Sequence, residues 1–179
     1  METTPSKNKK KKIIAAVKKR GDGSDVIDVE EKQSQFVIFT IGGSQYAFDG
    51  EEMTEILDFM PITYVPGSPD FILGIINVRG NIESVISINS FIGLQNEEIS
   101  DCRRIIIAEK NGIRSGILVK DVEDVLDLPE KIVHESLSTL SETIKHFVKG
   151  EFEYNGKTVV FLNLEKIFEK ICEAGNQGA

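Results

Sequence analysis

The residues able to do chemistry in this 179-residue chain are few and poorly grouped. Its two histidines, His134 and His146, could act as acid–base groups or metal ligands. A zinc-protease helix needs a second histidine four residues after the first, and His134-Glu135 is followed by none. Neither histidine stands at a Cys/His spacing that binds a transition metal. The two cysteines, Cys102 and Cys172, are too distant in sequence for a CxxC knuckle or a disulfide scaffold. Cys102 precedes Arg103 and Arg104, and neighbouring cations favour a thiolate. That allows a thiol nucleophile, and equally a half-buried cysteine at a strand edge. No Gly-x-Ser-x-Gly elbow occurs. Gly150 to Gly156-Lys157-Thr158 imitates a phosphate loop, but with five intervening residues instead of four. Asn155-Gly156 there reads as a hairpin turn rather than the entry to a helix, and Glu151 and Glu153 would repel phosphate. The 29 acidic residues cluster near turns, as at Glu51-Glu52 and Glu97-Glu98, where solvation accounts for them. The expectation is a protein with no catalytic residues, no cofactor and no metal.

Composition narrows the classes further. Hydrophobic residues make up 40% of the chain, enough for a core. Apolar runs such as residues 71–76 are far shorter than the ~20 residues that cross a bilayer. The apolar stretch 13–17 is too short for a signal-peptide core, so the chain reads as a reduced, cytoplasmic protein. Charge is divided unevenly. Residues 1–20 hold eight Lys+Arg against Glu2, a balance of +7, which leaves −15 of the net −8 to residues 21–179. An acidic body argues against a nucleic-acid surface. The Lys-rich arm reads as a solubilising tail, with contact to anions or lipid as the competing reading.

The remaining residues are built from short β-type runs joined by Gly turns. Hairpins are expected at Gly42-Gly43, at Arg79-Gly80-Asn81, at Asn111-Gly112 and at Asn155-Gly156. Met53, Ile56, Leu57 and Met60 fall at helical spacing and predict one short amphipathic turn ended by Pro61. Leu164, Ile167, Phe168 and Ile171 predict a C-terminal helix. The chain also repeats itself. An offset of 69 superposes Gly43 on Gly112, 36–38 on 105–107, and Met53-x-Glu55-Ile56-Leu57 on Val122-x-Asp124-Val125-Leu126. An offset of 76 superposes Phe71-x-x-Gly74 on Phe147-x-x-Gly150 and Gly80 on Gly156. The expected organisation is a basic tail and linker over 1–34, a duplicated domain over 35–170 with modules at about 36–94 and 103–170, and a short tail over 171–179. Each module alone is marginal in size, so the two should share a hydrophobic seam, and that seam makes a groove for a partner.

Within this pattern, Phe71-Ile-Leu-Gly74-Ile-Ile-Asn77-Val-Arg79-Gly80 followed by Val85-Ile86 resembles the Asn-Leu-Arg-Gly motif of the CheW family of chemotaxis coupling proteins. Phe36-Val-Ile-Phe39, Tyr46-Ala47, Met53-x-Glu55-Ile56, Thr63-x-x-Pro66, Gly116-Ile-Leu-Val119 and Phe147-Val-Lys-Gly150 flank it in family order. The resemblance implies a mainly all-β fold of two packed five-stranded barrels with short connecting helices. It implies a non-enzymatic adaptor between chemoreceptor helical tips and the regulatory domain of the histidine kinase CheA, with further CheW copies in a ring. The membrane would be met only through the receptors, at its inner face. Carried over by position, the receptor-facing set is Met53, Glu55, Gly74, Arg79 and Val122, and the kinase-facing set is Ile56 and Thr63. Ser84, Ser87, Asn89 and Asn163 depart from the family pattern, which removes a possible ion pair and leaves open an accessory scaffold of a second chemosensory system. A thiol-dependent enzyme using Cys102 is the alternative of a different class.

Overall fold

The computed structural model describes residues 32–95, 102–135 and 142–176, so the Lys-rich stretch over 1–20 lies outside the described residues. Among the described residues, ten strands run in chain order: β1 (Gln33–Ile41), β2 (Ser44–Asp49), β3 (Met53–Asp58), β4 (Ile72–Val78), β5 (Asn81–Ile86), β6 (Arg104–Lys110), β7 (Ile113–Val119), β8 (Asp121–Pro129), β9 (Val148–Tyr154) and β10 (Lys157–Leu162). Short 3-10 turns at Gly50–Glu52 and Glu130–Ile132 and two helices, α1 (Glu142–Lys145) and α2 (Leu164–Asn176), complete them. All four expected hairpins are present, and their turns use left-handed backbone at Gly42-Gly43, Arg79-Gly80, Asn111-Gly112 and Asn155-Gly156.

The strands form two five-stranded sheets, ordered β8-β1-β2-β10-β9 and β3-β6-β7-β5-β4. Substituting each strand by its repeat equivalent turns one order into the other, so the duplication read from sequence is a structural one. Adding 76 to the bounds of β4 and β5 gives those of β9 and β10. The repeat units and the sheets are nevertheless different objects. Each unit gives its first two strands to one sheet and its last three to the other: β1 and β2 lie with β8, β9 and β10, and β6 and β7 lie with β3, β4 and β5. The sheets are curled and open rather than closed barrels, because the outer edge of β4 is taken by Thr63, which bridges Ile75. The corresponding edge of β9 is taken by His134, which bridges Glu151.

The exchange follows from how β1 and β6 are buried. Residues 36–39 and 105–108 are buried without a break, which is the pattern of strands covered on both faces. In β1, Phe36 and Ile38 point into a cluster with Phe152, Val159 and Phe161, the private core of the first sheet. Their neighbours Val37 and Phe39 point the other way, into a large cluster with Ile106, Ile117 and Phe168 that both sheets share. β6 repeats this: Ile105 and Ile107 line the private core of the second sheet, and Ile106 and Ala108 the shared one. Burying these aromatic and aliphatic side chains stabilises by roughly 1.5–3 kcal/mol each. Neither sheet can cover its outward face alone.

Residues 53–58 form a strand where helical spacing had predicted a turn of helix. Pairing with the buried β6 overrides that spacing, and the β-branched Thr54 and Ile56 suit an edge strand. The C-terminal helix is present and continues to Asn176, beyond the expected domain end at 170. Asn163 accepts a hydrogen bond from the Lys166 amide at 3.3 Å, so the departure from Asp at that position keeps a good helix cap. Ser87 and Asn89 are buried, which suits uncharged residues where the family pattern carries charge.

Candidate partner-binding seam

Met53 begins β3 directly after the 3-10 turn that carries the chain from the first sheet to the second. Its side chain is half-buried and packs against the shared core. Val122 holds the equivalent place in β8, half-buried against the same core. The two apolar residues therefore reach one cluster from opposite sheets, where the seam between the sheets lies.

Glu55 and Arg79 are brought together. They lie on β3 and in the β4–β5 turn, at opposite sides of the second sheet, and an Nη2–Oε1 contact of 2.5 Å joins them. The pair thus ties the curled sheet across its open side. Arg79 has positive φ, Gly80 N–H donates to Asn77 Oδ1 at 2.8 Å, and the Arg79 side chain is 82% exposed. A guanidinium this exposed keeps donors free for a partner. The first sheet has a counterpart that sequence reasoning missed: Tyr154 at the end of β9 donates to Asp124 Oδ2 on β8 at 2.6 Å. The carboxylate beside it raises the Tyr154 pKa above its ordinary value of 10.0. The offset that relates Glu55 to Asp124 was the available signal.

Gly74 and Thr63 are also brought together, although the resemblance assigned them to different partners. Gly74 is buried, with φ +145, and a Cβ on it would lie 2.2 Å from the Thr63 carbonyl oxygen. Only glycine lets the segment around Thr63 lie against β4, where Thr63 and Ile75 exchange hydrogen bonds of 2.8 and 2.9 Å. Gly74 thus shapes the surface and offers no side chain to it. Ile56 is 41% exposed on β3, and its repeat equivalent Val125 is 43% exposed on β8. Tyr64 and Ile82, at 67% and 62%, are the most exposed large hydrophobics among the described residues, and no periodicity had marked them.

The residues considered for chemistry stand apart from this surface. Cys102 is exposed, and Arg104 is engaged with Asp58 at 3.2 Å. His134 lies in the bridge to β9, and His146 packs edge-on against Phe147. Among the described residues, no group of three or more His, Cys, Asp or Glu side chains is placed to hold a metal ion. An acidic depression of about 370 Å³ lies beside the start of β3, lined by Asp49, Glu51, Glu52 and Glu109 together with Lys110. Glu52 is buried there against Lys110 at 2.7 Å, a contact that raises the Lys110 pKa. Among the described residues, no helix is long and apolar enough to cross a membrane.

Comparison with known proteins gives a consistent result. The model of the CheW-like domain matches residues 35–172. The chain is 28% identical over 163 residues to the chemotaxis protein CheW of Helicobacter pylori, covering 91% of this chain and 98% of that protein. It is 29% identical over 140 residues to the chemotaxis protein CheW of Thermotoga maritima, covering 78% and 91%. The crystal structure of the scaffolding protein TtCheW from Thermoanaerobacter tengcongensis is similar at a TM-score of 0.66 and 28% identity, covering 74% of this chain and 90% of that one. With the expected sheets and the expected motif order both in place, the chain belongs to the CheW-like domain family.

Proposed function

We propose that the chain is a non-catalytic adaptor that joins the helical tips of chemoreceptors to the regulatory domain of the histidine kinase CheA. It works in the cytoplasm, at receptor arrays on the inner face of the membrane, and meets the membrane only through the receptors. The observation that carries this reading is the seam, where Met53 and Val122 approach a single core from two sheets, flanked by the exposed Arg79 anchor. A helical tip can lay an apolar stripe along such a seam and place a carboxylate or backbone carbonyl on the guanidinium. The receptor side is Met53, Glu55, Gly74, Arg79 and Val122, in which Gly74 acts through the backbone, by letting the Thr63 segment lie against β4. The kinase side is Ile56 and the Thr63 segment, extended by the exposed Tyr64 and Ile82. Further copies of the chain take the same kinase-side contacts in a ring. Support comes from family membership and from the scaffolding protein whose fold the chain resembles.

The test is co-sedimentation of the full chain with a receptor signalling fragment and, separately, with a CheA regulatory domain. Association with both supports the adaptor. No association with either, at any ionic strength from low to physiological, rejects it.

A further inference from the structure

Both strands that line the seam carry one extra residue. In β3, Met53 pairs with Ala108 and Glu55 with Ile107, which leaves Thr54 unopposed. In β8, Val122 pairs with Phe39 and Asp124 with Ile38, which leaves Glu123 unopposed. Thr54 and Glu123 are repeat equivalents, so the bulge belongs to the module and is not an accident of one strand. A bulge turns residues that would share a face onto opposite faces. Ala108 and Phe39 face the shared core, whereas Ile107 and Ile38 face the private cores. Met53 and Val122 are accordingly delivered to the seam, while Glu55 and Asp124 are turned to Arg79 and Tyr154.

Each bulge is held from the central strand of its sheet. Arg114 on β7 donates Nη1 to the Thr54 hydroxyl at 3.2 Å, and its Nε meets the buried Glu83 at 2.8 Å. Gln45 on β2 donates its amide Nε2 to the Glu123 carboxylate. Gln45 and Arg114 are themselves related by the offset of 69. Gln45 is 4% exposed, and its Oε1 is buried with no hydrogen-bond partner. An unsatisfied buried carbonyl destabilises a fold, so stability alone does not account for a glutamine at this position.

We propose that Gln45 and Arg114 are positioning residues for partner binding: they pin the bulges at Glu123 and Thr54, and so fix which way Val122, Asp124, Met53 and Glu55 face. This rests on the seam reading given above. The experiment uses the full chain and the variants Gln45→Met and Glu123→Gln, with thermal melting, amide hydrogen exchange and affinity for a receptor signalling fragment. Gln45→Met removes both the pin and the orphaned oxygen. Its melting temperature should equal or exceed that of wild type, exchange at the Glu123 and Asp124 amides should quicken about tenfold, and affinity should fall roughly three- to tenfold. Glu123→Gln keeps an acceptor for the Gln45 amide and should retain wild-type exchange and affinity. Glu123→Ala, at an exposed position, removes the bond from the other side and serves in place of Gln45→Met if that variant fails to fold. Unchanged exchange in Gln45→Met, or faster exchange with undiminished affinity, overturns the proposal. A wild-type chain that does not bind the fragment overturns the seam reading together with the positioning role, and the exchange rates alone then show whether the bulge is pinned.

Discussion

Replacing Gly74 by alanine should destabilise this protein far more than replacing Gly80, although both glycines have positive φ. At Gly74, φ is +145 and the new Cβ would stand 2.2 Å from the Thr63 carbonyl oxygen and 2.8 Å from Ile62 Cγ2. Backbone in that region costs any other residue about 1–3 kcal/mol. The clash is with main chain, so the Thr63 segment must move away by about 1 Å to restore ordinary contact. That movement disrupts the paired hydrogen bonds between Thr63 and Ile75, each with a net value of about 0.5–1.5 kcal/mol. The total is about 2–6 kcal/mol, or a fall in melting temperature of about 5–20 °C for a chain of this length. At Gly80, φ is +94 and nothing lies within 4 Å of the added Cβ, so only the backbone strain of about 1–2 kcal/mol applies. Urea unfolding of both variants, with amide exchange at Ile75, measures the difference. Equal losses in the two variants, or an unchanged Ile75 amide in Gly74→Ala, would refute the claim that Gly74 exists to let the Thr63 segment close on β4.

Three further outcomes follow from the same geometry. Arg79→His should weaken binding of a receptor fragment by calorimetry while shifting the urea midpoint little, since an ion pair with an 82% exposed side chain is worth about 0.2–1 kcal/mol; a large stability loss would make Arg79 structural. The Tyr154 pKa is raised by Asp124, so the protonated phenol stabilises the fold fully below pH 10, and this contribution disappears as the pH climbs through the folded-state value; comparing wild type with Tyr154→Phe across that range should show the difference vanish at the alkaline end. Asn163→Ala should cost about 1 kcal/mol in urea unfolding through loss of the α2 cap, and Asn163→Asp should be close to neutral.

The elements that sequence revealed are those governed by local chemistry. Asn111-Gly112 and Asn155-Gly156 mark hairpins because few residues accept left-handed backbone, and Leu164, Ile167 and Phe168 mark α2 because one face must be buried. The repeat was legible as two offsets, 69 and 76, although its third strand was read as a turn of helix. What it could not show is that the last three strands of each unit join the other sheet, because β3 and β8 pair with partners about 50 and 90 residues distant. Met53, Ile56, Leu57 and Met60 satisfied a helical period only by coincidence with a bulged strand, in which Met53 and Leu57 face different cores. Of the site, Glu55 and Arg79 were both singled out but their pairing was not, because it joins strands at opposite sides of a sheet; the roles of Gln45 and Arg114 depend on a bulge, and a single unopposed residue leaves no period to detect. Gly74 was grouped with contact residues; that its missing side chain admits Thr63 against β4 is visible only once the two segments are in place.

Mapping the receptor fragment onto the labelled full chain by NMR chemical-shift perturbation tests the central claim most directly. The account predicts that the largest changes gather along the seam, at Met53, Glu55, Arg79 and Val122, with little effect on the outward face of α2. Perturbations centred on α2, or on one sheet with the other silent, would contradict it.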